Sequence, residues 1–319
     1  MSIVDIAVLD DYVGAAPELA DWSRLLDQGR VDFYADHVVD DDALTRRLAP
    51  YDVVVLMRER TPFPAALISR LDRLRLIVTT GARNQSLDVA AARGRGVLVC
   101  HTGGLSSSTV ELTWALILAH SRHLVFEATA IASGGWQSTM GRDLAGANLG
   151  VLGLGRIGSG VAAVGRAFGM DVLAWSRALD SERAASVGAE SVTFPELLSR
   201  ADILTIHVPL NPTTQGLIGP EALAIMKPTA LLVNTSRAPI VDAAALQEAL
   251  LAGRLGGAAV DVFEVEPPPE NEPLRSMDQV LATPHLGYVT RHGMARFYRD
   301  AVEDIEAYLA GTPIRVVDA

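Results

Sequence analysis

Arg237, Asp261, Glu266 and His285 are the residues of this chain whose types and spacing could do chemistry together. Each lies at or just beyond a short apolar run. Leu231–Asn234 precedes Arg237, Ala258–Val262 contains Asp261 with Glu266 in the loop after it, and Val280–Thr283 leads through Pro284 to His285. If these runs are parallel strands, one arginine, two carboxylates and one histidine fall along a single sheet edge. That edge, beyond the carboxyl ends of the strands, is where open α/β sheets bind ligands. A histidine titrates near working pH and can give or take a proton. A carboxylate beside it, with Glu266 the candidate, favours the imidazolium that donates. An arginine can hold a carbonyl oxygen and a neighbouring carboxylate in its planar fork of donors.

A second motif supplies what such a set would act with. Gly153, Gly155 and Gly158 lie in Val151-Leu152-Gly153-Leu154-Gly155-Arg156-Ile157-Gly158, after an apolar run and before a helix-like stretch. That is the arrangement a dinucleotide pyrophosphate needs. The first glycine allows the tight turn, the second lets the backbone approach the phosphates, and the third lets helix pack on strand. The helix N-terminus then offers free N–H groups to the anion. Hydride transfer between a nicotinamide and a carbonyl, with a histidine serving the oxygen, is the chemistry both motifs suit.

The elements that must position these residues alternate between β-like runs and helical stretches, the pattern of parallel α/β sheets. Ile3–Leu9, Val31–Tyr34, Asp52–Leu56, Leu76–Thr79 and Gly96–Cys100 predict a small flavodoxin-like sheet, with helices such as Pro17–Gln28 and Leu87–Arg93. Leu149–Gly153, Asp171–Trp175, Asp202–Val208, Leu231–Asn234, Ala258–Val262 and Val280–Thr283 predict a full dinucleotide-binding sheet. In the segment joining the two sets, Ser108-Thr109-Val110-Glu111 fits a capping box. The following Leu112–Ala119 is apolar on almost every side, which predicts a helix buried all round, either between domains or at a subunit interface, or in the interior of one domain. Arg291–Leu309 reads as an amphipathic helix stopped by Gly311 and Pro313.

Composition bounds the function. At 319 residues, two domains are expected. A net charge of −11 argues against a nucleic-acid surface. Cys100 is the only cysteine, which excludes disulfides within the chain and cysteine zinc sites, and no metal site is predicted. Its place at the end of an apolar run predicts a buried structural thiol. Met1-Ser2-Ile3-Val4-Asp5 does not resemble a signal peptide, and no uncharged run approaches the roughly 20 residues that cross a bilayer. The expected location is the cytoplasm.

The chain resembles the D-isomer-specific 2-hydroxyacid dehydrogenase superfamily. The resemblance rests on Gly153–Gly158, His207-Val208-Pro209-Leu210, Asn234-Thr235-Ser236-Arg237, Val260-Asp261-Val262-Phe263-Glu264-Val265-Glu266-Pro267 and Thr283-Pro284-His285-Leu286-Gly287, in family order and with family-like spacing. It implies two doubly wound parallel-sheet domains, a Rossmann cofactor domain and a flavodoxin-like substrate domain, with a cleft between them. Residues 1–100 and 288–319 would form the substrate domain and 101–287 the cofactor domain. The resemblance implies His285 as general acid/base, Glu266 as its orienting partner and Arg237 as the substrate anchor. Asp261 would touch the nicotinamide end. The cofactor groove would be lined by Gly153, Gly155, Arg156, Ile157, Gly158, Ser176, Arg177, His207, Val208, Pro209, Thr214, Thr235, His285 and Gly287. It also implies a homodimer joined through the cofactor domains.

Three positions depart from the family pattern. NAD-preferring members carry an acidic residue where Ser176 stands. Its absence, with Arg177 next in the chain, predicts a preference for NADP(H). The turn Thr80-Gly81-Ala82-Arg83-Asn84-Gln85-Ser86, where Ala82 and Arg83 are candidate substrate contacts, has arginine in place of a usual glycine. Arg83 either adds a cation to a carboxylate site or turns away and leaves the backbone to bind. Arg58 and Arg60, which end a strand run near this edge, are read as a solvated loop pair, with a place facing the cleft as the alternative. Ala238 replaces a usual glycine after Arg237 and would be strained if φ there were positive. The expected activity is interconversion of a 2-keto acid and a D-2-hydroxy acid with NAD(P)(H). The alternatives are a phosphite-type anion dehydrogenase and a dinucleotide-sensing, corepressor-like binding protein. A formate enzyme is disfavoured, because that branch has glutamine where Glu266 stands.

Overall fold

A computed structural model describes residues 3–317. Met1, Ser2, Asp318 and Ala319, which belong to the terminal segments discussed above, lie outside the described residues. The chain divides into two compact units, one running to Leu105 and resuming at Val289, the other spanning Ser106–Tyr288. Each is built on a parallel sheet, so the expected α/β class with two such domains is borne out. No described helix is long and apolar enough to cross a membrane.

The first unit contains β1 (Val4–Val8), β2 (Gly29–Phe33), β3 (Val53–Leu56), β4 (Leu76–Thr79) and β5 (Leu98–His101). They are parallel, in the order β2-β1-β3-β4-β5. Every residue of β3 and β4 is buried, as expected of a parallel sheet covered on both faces, where strands read as unbroken Val/Ile/Leu runs. The Arg291–Leu309 helix closes this unit by burying Met294, Phe297, Tyr298, Ala301 and Ile305. After it the chain returns along β5, with Val317 N donating to Val99 O at 2.9 Å. Cys100 is buried there, and burial pushes its thiol up to about 12, in keeping with a structural thiol.

The second unit contains β6 (Asn148–Leu152), β7 (Asp171–Trp175), β8 (Glu190–Ser191), β9 (Ile203–Ile206), β10 (Leu231–Asn234), β11 (Gly257–Val260) and β12 (Val280–Ala282). All pairs are parallel, in the order β12-β11-β10-β9-β6-β7-β8. The order reverses between β6 and β9, where Leu152 pairs with Ile206. The turns after these two strands therefore open side by side.

Some local expectations need correction. Pro17–Gln28 is not one helix but two short ones, Ala16–Leu19 and Ser23–Leu26, because Ala20 is extended at φ −143° and ψ 159°. β8 was not expected; its two residues are exposed and carry no apolar signal. The capping box at Ser108–Glu111 does not form. The helix already starts at Ser107, with Ser106 at the N-cap and no side-chain cap. Nor is that helix buried all round: Thr113, Trp114, Leu116 and Ile117 are buried while Glu111 and Ala115 are exposed. Arg58 and Arg60 are half-buried and not fully solvated. Arg60 Nη1 donates to Asp10 O at 2.6 Å, and its guanidinium stacks 4.2 Å over the Tyr12 ring.

Candidate active site

Three loops of the second unit carry Arg237, Asp261, Glu266 and His285, each following a strand. Asn234 ends β10 and shapes the first loop with its amide. Its Oδ1 accepts from Ser236 N and its Nδ2 donates to Arg237 O, both at 3.0 Å. Ser236 Oγ donates to Val208 O at 2.6 Å, which ties this loop to the one after β9. Arg237 is left extended at φ −142° and ψ 138°, and the chain then enters a 3-10 turn over Ala238–Ile240. Ala238 is not among the positive-φ residues, so alanine sits there without the strain that a glycine-only conformation would impose.

Asp261 follows β11 and has no exposed surface. Its Oδ1 accepts from Thr283 Oγ1 at 2.6 Å and Leu286 N at 2.7 Å, and its Oδ2 accepts from Gly287 N at 2.8 Å. Burial pushes this carboxyl up, against the pull of those donors and of the His285 charge. Asp261 spends both oxygens on the loop that carries His285. That loop is unusual in backbone as well, since His285 has φ +53°, a conformation that is costly for a side chain with a Cβ. The bonds from Asp261 to Leu286 and Gly287 hold it in place.

His285 Nδ1 and Glu266 Oε2 are 2.6 Å apart. The second oxygen of Glu266 accepts from Phe263 N at 3.0 Å. Burial raises the Glu266 carboxyl, but the bond to His285, the imidazolium charge, the Phe263 N–H and the Arg237 charge together bring it below the usual range. Glu266 is thus ionised and Nδ1 is the proton-bearing nitrogen of this pair. The Tyr288 ring packs edge-on against the imidazole, 5.2 Å between centroids.

The glycine turn lies at the switch point of the same sheet. Gly153 has φ +101°, and a Cβ there would come within 2.8 Å of the His207 and Val208 backbone. A Cβ on Gly158 would collide with the Gly153 carbonyl. Gly155 is the N-cap of the Arg156–Ala167 helix with no side-chain cap, and a Cβ there would meet nothing within 4 Å. The first N–H groups of that helix are thus left without a side-chain cap. Arg156 is exposed and Ile157 half-buried. A cavity of about 320 Å³ adjoins the turn, and Ser176, Arg177, His207, Val208, Pro209 and Thr214 all line it. Burial pushes His207 down to about 3, so it is neutral. Thr214 Oγ1 donates to Pro209 O at 2.7 Å and shapes the wall.

Several contributors escape a reading of the sequence. Thr109 Oγ1 donates to Gly287 O at 2.9 Å, and Thr113 Oγ1 is 3.0 Å from Thr235 Oγ1. One apolar helix thereby braces two candidate loops, and two threonines at i and i+4 on it were the available signal. Thr283 and Arg183 are the others; Arg183 lines the cavity and donates to Leu154 O at 3.1 Å. Ala82 and Arg83 lie in the first unit, exposed in the turn after β4. That turn is held by Gly81 N donating to Thr102 Oγ1 at 2.7 Å and by Asn84 Nδ2 donating to Arg58 O at 2.7 Å.

Residues 114–287 match the family described as D-isomer specific 2-hydroxyacid dehydrogenase, NAD binding domain. A glyoxylate reductase of Aeropyrum pernix is 41% identical over 255 residues, covering 77% of this chain and 76% of that one. A D-3-phosphoglycerate dehydrogenase of Archaeoglobus fulgidus is 37% identical over 277 residues, which is 86% of this chain but 52% of the relative. This chain thus spans about half the length of that enzyme. The crystal structure of a phosphoglycerate oxidoreductase from Vibrio cholerae superposes with a TM-score of 0.92 at 38% identity, covering 97% of this chain and 99% of that one.

Proposed function

The chain belongs to the D-isomer specific 2-hydroxyacid dehydrogenase family, and on that premise we propose that it interconverts a 2-keto acid and a D-2-hydroxy acid, with His285 as general acid/base. The observation that carries this reading is the 2.6 Å contact between His285 Nδ1 and the Glu266 carboxylate. With Nδ1 committed to Glu266, Nε2 is the atom that exchanges a proton with the substrate oxygen. Glu266 accepts from Nδ1 and fixes the ring. Arg237, in its extended conformation, offers a planar cation to the substrate carboxylate. Asp261 is a positioning residue that acts through the Leu286 and Gly287 amides.

The residues at the switch point fit a nicotinamide dinucleotide. The uncapped helix N-terminus at Gly155 offers N–H groups and a partial positive charge to the pyrophosphate. Gly153 and Gly158 give the turn its close packing, and Ile157, Val208, Pro209, Thr214 and Thr235 belong to the groove beside it. When bound, the nicotinamide supplies or accepts the hydride. NADP(H) is the favoured form: Ser176 brings no negative charge to the ribose, and Arg177 is exposed at the cavity with no carboxylate partner among the described residues.

The proposed assembly is a homodimer through the second unit. The Leu124–Ala132 helix has no buried residue, leaving Val125 58% and Phe126 59% exposed, and Trp136 is 79% exposed. Contiguous exposed apolar side chains of this size mark an interaction surface.

The test is oxidation of NADPH and of NADH by a panel of 2-keto acids, with His285→Ala alongside. Turnover that falls by roughly 10²- to 10⁴-fold in the variant is the expected result. Equal turnover in both proteins removes His285 from the chemistry. Better use of NADH removes the NADP(H) preference.

A further inference from the structure

Two arginines line the cavity beside the glycine turn, and Arg177 is one of them. The other, Arg183, lies in the first turn of the Ser181–Ser186 helix, where the Asp180 carboxylate accepts from its backbone N–H at 2.7 Å. From there its side chain reaches back, and Nη2 donates to Leu154 O at 3.1 Å. Ser176 Oγ accepts from Leu154 N at 2.9 Å. The peptide groups of the central residue of the turn are thus held on both sides, by a hydroxyl at the N–H and by a guanidinium at the carbonyl.

The charge around this contact is unbalanced. No aspartate or glutamate among the described residues lines the cavity. Neither Arg177 nor Arg183 has a carboxylate within ion-pair distance among the described residues, whereas Arg200 and Lys227 of the same unit are paired at 2.7 and 2.8 Å. His207, in the same wall, is neutral. Two cations therefore share one cavity mouth in a chain whose net charge is −11. A single carbonyl occupies one of the five N–H donors of a guanidinium and leaves the rest of the fork unused. A group carrying close to two negative charges and several acceptor oxygens answers both arginines, and a phosphate monoester is such a group.

We propose that Arg183 is a second specificity-determining residue for the cofactor, holding Leu154 O with one edge of its guanidinium and the adenosine 2′-phosphate of NADP(H) with the other. This deepens the NADP(H) reading and rests on it. Recognition of the phosphate and the shape of the glycine turn then meet in one side chain. A lysine, with a single point charge, cannot serve both partners.

The experiment is equilibrium binding of NADPH, NADH, 2′,5′-ADP and 5′-AMP, followed by tryptophan fluorescence, since Trp175 lines the cavity. The proteins are the unaltered chain, Arg183→Met, Arg183→Lys and Arg177→Ala. The ratio of the NADH to the NADPH dissociation constant should fall about tenfold to a hundredfold in Arg183→Met, with an intermediate fall in Arg183→Lys. The same loss should separate 2′,5′-ADP from 5′-AMP. If both affinities fall together at a constant ratio, Arg183 only braces the turn and the proposal is overturned. A ratio in the unaltered chain that already favours NADH defeats the NADP(H) reading itself. A preference for NADPH that Arg177→Ala abolishes and both Arg183 variants retain defeats the role of Arg183 alone. Arg183→Lys keeps the charge and the helix propensity, so it decides the matter should Arg183→Met fold poorly.

Discussion

After β1, where the five-stranded sheet reverses its order, Asp11 turns its carboxylate onto the N–H groups of Ala15 and Ala16, at 3.1 and 2.8 Å. Asp10 beside it is 1% exposed and accepts from Thr61 Oγ1 at 2.7 Å, and its Oδ1 is 2.9 Å from His37 Nδ1. After β6, where the seven-stranded sheet reverses, no side chain among the described residues caps the helix N-terminus at Gly155. Helix N-termini and switch points attract anions in any α/β sheet. The first unit fills that demand with its own side chains, and the second leaves it to a ligand. The same fold element thus serves stability in one unit and binding in the other, and the residue at the N-terminal turn decides which.

The strongest way to break this contrast is to plug the open site. Gly155 has φ −85° and ψ −161°, a region any residue adopts, and a side chain there meets open space. Gly155→Asp should therefore fold, with a melting temperature equal to or slightly above that of the unaltered chain, because an acidic N-cap suits the helix. Its carboxylate would face the pyrophosphate, at a cost of about 4 kcal/mol for charges roughly 4 Å apart near a protein surface. Dinucleotide affinity measured by calorimetry should drop by about a hundredfold or more. Retained affinity would mean that the pyrophosphate is held elsewhere.

The converse change unplugs the first unit. Asp11→Ala removes the acceptor for two amide hydrogens and for Tyr298 Oη, which donates to Asp11 at 3.1 Å. A loss of about 1–3 kcal/mol in chemical denaturation is expected, with dinucleotide affinity unchanged. A variant that loses affinity without losing stability would make Asp11 part of the binding machinery.

Each unit also contains a histidine–carboxylate pair at a strand end, Asp10 with His37 and Glu266 with His285, and comparing them sharpens the contrast further. Glu266 is held below the usual carboxylate range and is charged at neutral pH. Glu266→Gln deletes that charge from beside Nδ1 and weakens the hold on the ring, so kcat/KM for keto-acid reduction should fall by about tenfold to a hundredfold, the loss of a hydrogen bond to a charged group. Asp10→Asn should leave kcat/KM in place. Equal losses in both variants would mean that the effect comes from overall charge and not from this pair.

The strands were legible because both sheets are covered on both faces, so their central members are unbroken apolar runs. β8 was not, because Glu190 and Ser191 form a polar edge with nothing to bury. The candidate site was legible as far as its residues follow strands in the chain: Arg237, Asp261, Glu266 and His285 are each placed by the turn after their own strand. What spacing does not show is a contact made from a different element. Thr109 and Thr113 look like ordinary members of an apolar helix until Gly287 and Thr235 are found against them. Arg183 looks like a surface residue of a short helix until Leu154 O is found at its end. The bracing contacts of Asp261 were hidden for the same reason, since its donors come from the loop after β12.

The smallest expected effect separates inherited pattern from local geometry. A glycine after the anchoring arginine would be needed if the chain there required a positive φ. Here Ala238 opens a 3-10 turn without positive φ, and Val241 N donates to Ala238 O at 3.0 Å to close it. Ala238→Gly relieves no strain and adds freedom to the unfolded chain, so it should cost about 0.5–1 kcal/mol in stability. The more telling readout is KM for the keto acid. A loosened turn lets Arg237 wander, and KM should rise modestly while kcat stays within about twofold, the signature of lost uniform binding. A gain in stability would show that the alanine is strained after all, and that Arg237 is presented by a backbone other than the one described.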